Sequence, residues 1–71
     1  MIEEFDVVTL KTPLPAYGLV EGDEGTVVEA YRDYDNYTVE FMRGEKTVAI
    51  VSVHGKDLRV VWREQAYAYA D

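Results

Sequence analysis

The sequence predicts an all-β domain of five short antiparallel strands. Apolar residues alternate with polar ones or fall in short β-branched runs, and no stretch keeps the 3.6-residue spacing of an amphipathic helix. Valine is the commonest apolar residue, and its branched side chain fits a pleated surface. Turn-forming clusters of Gly, Pro, Asp and Asn break the 71-residue chain at short intervals.

The first strand is read at Phe5 to Lys11. A long loop follows over Thr12 to Glu24, where Pro13 and Pro15 cannot donate to a ladder and Gly18 and Gly22 admit positive φ. Its end, Gly22-Asp23-Glu24-Gly25-Thr26-Val27-Val28, reads as a tight acidic turn feeding a strand. That second strand runs from Gly25 to Arg32, with both turn glycines assigned to positive φ and Asp23 bonded locally. Asp33-Tyr34-Asp35-Asn36 is the next turn. The third strand, Tyr37 to Phe41, has the cleanest alternation, with Tyr37, Val39 and Phe41 on the core side and Thr38 and Glu40 on the wet side. Arg43-Gly44-Glu45-Lys46 closes a hairpin into the fourth strand, Thr47 to Val53. His54 to Asp57 reads as one 3₁₀ turn, and Leu58 to Trp62 as a short last strand. The organisation expected is one domain over 1–62 and a C-terminal tail, 63–71, without a core pattern and prone to fray. Five short strands cannot bury a core as a flat sheet, so they are expected to curl into a small SH3-like barrel. An OB-fold needs more chain and a helix between strands three and four, for which no room exists.

The motifs Asp6-Val7-Val8-x-Leu10, Leu14-Pro15 with Gly18-Leu19, Gly22-Asp23-x-Gly25-Thr26-Val27-Val28, Tyr37-x-Val39-Glu40-Phe41, Thr47-Val48-Ala49 and Leu58-Arg59 span residues 3 to 61. In these the chain resembles a group of short bacterial proteins of about this length, a domain of unknown function with an SH3-like barrel. The Gly-Asp-x-Gly-Thr-Val turn alone is also similar to turns of KOW-type barrels. The resemblance implies the fold and no activity.

Composition narrows function. A chain this short buries only about 60 % of its unfolded surface. Cysteine is absent, so neither disulfides nor thiolate chemistry enter. The acidic N-terminus lacks the basic start and apolar core of a signal peptide, and no run approaches the roughly 20 apolar residues of a membrane helix. A cytoplasmic, membrane-free protein is expected. Net charge is −7; residues 1–40 hold ten acids against Lys11 and Arg32, and residues 41–71 four acids against five bases. The acidic first half would repel phosphate backbones, and an acidic surface favours solubility or a basic partner.

No enzyme is expected. Ser52 and His54 share a strand face, but no orienting acid or oxyanion donors accompany them. Glu21, Asp23 and Glu24, or Asp33 and Asp35, form too short a ligand series for a cation loop and read better as solvated turns. Gly22 and Gly25 precede no helix and lie among acids, which excludes a phosphate cradle; no cofactor or metal is expected. Proline-rich peptide binding would need an aromatic groove from Tyr17, Tyr31, Tyr34, Tyr37 or Trp62, yet Tyr37 belongs to the core face. The expectation is a non-catalytic module that binds another, basic, protein, as adaptor, subunit or inhibitor, for example of a basic nuclease toxin. Its contact residues are expected to be Tyr17, Glu21, Asp23 and Glu24 of the long loop and Tyr34 and Asp35 of the next turn, the two loops sharing a face; the competing reading makes the tyrosines partly buried barrel residues. The alternative is a nucleic-acid-associated, KOW-like barrel using Arg43, Lys46, Lys56, Arg59 and Arg63 with a stacking aromatic.

Overall fold

A computed structural model describes residues 1–63. Five strands form one antiparallel sheet: β1 (Val7–Leu10), β2 (Glu24–Tyr31), β3 (Asn36–Arg43), β4 (Lys46–His54) and β5 (Leu58–Trp62). Their order across the sheet is β4-β3-β2-β1-β5. Three 3₁₀ turns, Pro15–Tyr17, Arg32–Tyr34 and Gly55–Asp57, connect them. The sheet is not closed, since the outer strands β4 and β5 do not pair with each other.

Curling nevertheless buries one face almost completely. Val8, Leu10, Val27, Val39 and Phe41 are 0–1 % exposed, and Tyr37, Val53 and Leu58 each 4 %. Among the described residues no second layer covers this face, so only a sheet bent over itself achieves such burial. One extra residue in a strand supplies bend and added twist, and three pairings contain such a shift. The ladder registers make these residues Val28 in β2, Val48 in β4 and Val61 in β5. Leu19, from the long loop, is 1 % exposed and plugs the same core. A loop residue does this because Leu14 and Leu19 exchange backbone hydrogen bonds and hold the loop as a small closed turn.

The third strand keeps the expected alternation, with Tyr37, Val39 and Phe41 buried. The 3₁₀ turn before β5 and the span of β5 also fall where the sequence places them. Gly44, at φ 63°, makes the tight β3–β4 turn. Two local readings need correction. Strand β1 starts at Val7 rather than Phe5, because Phe5 takes a left-handed φ of 71° and is exposed. Gly25 is not at positive φ. It lies buried inside β2, where a Cβ would come within 2.6 Å of Val39 Cγ1 and 2.8 Å of the Glu40 carbonyl oxygen, so glycine is required for closeness of approach.

Two arginines fasten the ends of the chain path. Asp6 is the one buried charged side chain among the described residues, at 1 % exposure. Its carboxylate accepts bonds from Arg63 Nε and Nη2, at 2.7 and 2.6 Å, and from the Glu3 amide at 2.8 Å. Arg63 Nη2 also donates to the Met1 carbonyl. This places Arg63, the first residue of the expected tail, against the N-terminal segment; the rest of that tail, 64–71, lies outside the described residues. The second clasp joins Arg43 to Asp23 at 2.7 Å and to the Gly18 carbonyl at 2.8 Å, which holds the long loop against the β3–β4 hairpin. No helix among the described residues is long and apolar enough to cross a membrane.

Candidate functional site

The six residues picked from the sequence fall into two groups at opposite ends of the sheet, and the expectation that they share one face is corrected. Tyr17, Glu21, Asp23 and Glu24 sit by the β3–β4 hairpin, because Arg43 grips Gly18 and Asp23 there. Tyr34 and Asp35 lead into Asn36, the far end of β3. Glu24 and Tyr31 bound an eight-residue strand, so the groups stand roughly 20 Å apart along it.

Two of the six are engaged by the fold. Asp23 accepts the Val20 amide at 2.9 Å as the sequence suggests, and also takes the Arg43 guanidinium. The Arg43 bonds, then the Val20 amide, hold its carboxyl below the usual value. Asp35 is left-handed at φ 50° and ends the Arg32–Tyr34 turn. Its carbonyl accepts the Gly55 amide at 3.0 Å, and its carboxylate fills the space where a Gly55 Cβ would stand. Burial first, then the Asp35 charge, raises the Tyr37 hydroxyl pKa. Tyr17, Glu21, Glu24 and Tyr34 are exposed, with Tyr34 at 79 %. The reading of Tyr17 and Tyr34 as partly buried barrel residues therefore does not hold.

The outer face of the sheet presents a surface that the loop-centred reading missed. Strand alternation and the ladder registers place Glu24, Thr26 and Glu29 of β2 on this face, with Asn36, Thr38, Glu40 and Met42 of β3 and Thr47, Ile50, Ser52 and His54 of β4. Every formal charge in that set is negative. Ile50 is 59 % exposed, and Met42 is exposed beside it. Thr47 donates its hydroxyl hydrogen to Glu40, and Glu29 accepts from the Tyr31 hydroxyl, which raises the Tyr31 pKa. Glu24, Gly25, Thr26, Glu40, Met42 and Gly44 line a shallow groove across it. The signal for this face was present in the sequence as Glu40 alternating with core residues, but Ile50 sits in a run of apolar residues that hides which side it takes.

The cationic residues invoked for nucleic acid are partly consumed. Arg43 is bonded to Asp23 and Arg63 to Asp6. Lys46 starts β4, Lys56 lies in the 3₁₀ turn and Arg59 in β5, on separate elements. Among the described residues, no three His, Asp or Glu side chains come together as a metal site.

No curated protein and no solved structure matches the chain. A family model described as a domain of unknown function, DUF4926, matches residues 4–60, and the chain belongs to that family.

Proposed function

We propose that this domain is a non-catalytic protein-binding module of SH3-like form, and that it receives a basic protein on the outer face of β2, β3 and β4. The observation that carries this reading is the make-up of that face: Glu24, Glu29 and Glu40 flank exposed Ile50 and Met42, no lysine or arginine of β2, β3 or β4 alternates onto it, and its one histidine, His54, stands at the far end of β4. An apolar centre with a charged surround of one sign suits a partner of the opposite sign, because burial supplies affinity and charge supplies orientation and rate. The net charge of −7 acts in the same direction over a longer range. A phosphate-binding role is less well supported, since two of its five candidate bases are paired with aspartates.

The test is capture of a protein from source lysate on the immobilised wild-type chain, beside a Glu24→Lys, Glu29→Lys double variant. The expected result is one dominant basic protein, released by salt and absent from the variant. An unchanged capture on the variant would overturn the reading, and recovery of nucleic acid on the wild-type chain would replace it with the phosphate-binding one.

A further inference from the structure

The two edges of the sheet are unequal. β5 has five residues, carries Arg59 as its second, contains the Val61 shift, and is tied at its end by Arg63 to Asp6. Charges, bulges and shortness are the devices that keep an edge from recruiting another strand. β4 has nine residues. Its shift at Val48 lies near the hairpin, which leaves Ala49-Ile50-Val51-Ser52-Val53 regular, uncharged and free of proline and glycine. Among the described residues this strand is bonded on the β3 side alone, so alternate amides and carbonyls face outward. Two of its inward side chains are incompletely covered as well: Ala49 and Val51 are half-buried, although Val53 is buried, while Val39 and Phe41, the partners of Val51 and Ala49 on β3, are fully buried.

From this edge we infer that the partner adds a β-strand alongside β4, and that the added strand alternates apolar with basic side chains. This rests on the protein-binding reading above and specifies its mode. The apolar side chains would cover Ala49 and Val51. The basic ones would lie beside Ile50 and on the side of Glu40, which sits opposite Ile50 on β3, two strand spacings (~10 Å) from the added strand, a gap that a lysine and a glutamate side chain can span together. A second copy of this chain fits less well. Antiparallel self-pairing centred on Ile50 would bring Lys46 of each chain to the His54 and Lys56 end of the other, and would join two bodies of charge −7.

The probe is a synthetic nine-residue peptide alternating lysine and valine, titrated into the full chain and read by backbone amide resonances and amide hydrogen exchange. Shifts concentrated on Ala49 to Val53 are expected, with slowed exchange of their outward amides. Alternate N-methylation of the peptide, Glu in place of its Lys, and an Ile50→Lys chain are each expected to weaken binding at least about tenfold. Shifts on the long loop or β5, or no binding at millimolar peptide, would overturn the inference. Equal binding of the N-methylated peptide would overturn strand addition and leave the acidic face standing as the site. Equal binding of the Glu peptide would overturn the basic partner. Concentration-dependent shifts on β4 without peptide would assign the edge to a second copy instead. The lysate capture above separates these failures from failure of the functional reading, since it depends on Glu24 and Glu29 and not on the edge.

Discussion

The β5 edge is blunted and fastened, whereas the β4 edge is longer, uncharged from Thr47 to Val53 and bare among the described residues. Both strands belong to the same small sheet and both contribute to one core. What separates them is the chemistry at their ends and in their middles. β5 has Arg59 within it and the Arg63–Asp6 clasp after it, while β4 has apolar and hydroxyl side chains from Thr47 to Val53. Both are outer strands paired on one side, but one is short, charged and tied down at its end by a buried ion pair, and the other is not. The fastened strand is where stability is expected to depend on the ion pair, and the bare one is where the proposed recognition would take place.

The largest expected effect is on the fastened side. Arg63→Ala strands the Asp6 carboxylate at 1 % exposure with the Glu3 amide as its remaining partner. Chemical denaturation should show a loss of about 3 kcal/mol, the lower end for breaking a buried pair, because Arg63 itself is 42 % exposed and rehydrates readily. An unchanged midpoint would mean that the clasp does not secure this edge. Next in size is Gly25→Ala in the central strand, where the new Cβ meets Val39 and the Glu40 backbone. Overpacking there should cost about 1–3 kcal/mol, which marks β2 as the rigid reference between the two edges.

Acid should act on the same contrast. Asp6 is held below its usual pKa by the Arg63 hydrogen bonds, the largest influence, against the opposing effect of burial. A carboxylate whose folded pKa is lowered stabilises the fold above its unfolded pKa, and that contribution is lost as pH falls through the folded value. Stability should therefore be level near neutrality and decline below about pH 4. The decline should be shallower in Asp6→Asn than in Asp23→Asn, whose carboxylate is more exposed. Equal slopes would show that burial of the first clasp makes no difference. The smallest expected effect on stability is Ile50→Lys, within about 0.5 kcal/mol, since that side chain is 59 % exposed on an open edge. A larger loss would mean that Ile50 is structural and the edge is not free.

How legible this was depends on the range of the interaction. The alternation of Tyr37, Val39 and Phe41 is local, and it located both β3 and its core face. The Arg43–Gly44–Glu45–Lys46 turn and the 3₁₀ turn before β5 were legible for the same reason. The Arg63–Asp6 clasp joins residues 57 apart, and nothing in either neighbourhood marks them as partners. Leu19 and Gly25 read as loop and turn residues until the fold brings the core and Val39 against them. The candidate site suffered from the same limit. The acidity, the tyrosines and the local bond of Asp23 were legible, but the exposure of the tyrosines, their placement at two ends of β2, the Arg43–Asp23 pair and the Asp35–Gly55 contact come from the fold.

The most direct test of the contrast is photo-crosslinking inside source cells, with a benzophenone amino acid replacing Ile50 on one edge or Val61 on the other, both exposed. The account predicts a discrete adduct with a single basic protein from position 50 and none from position 61. An adduct from position 61 alone, or equal adducts from both, would contradict the assignment of recognition to the β4 side.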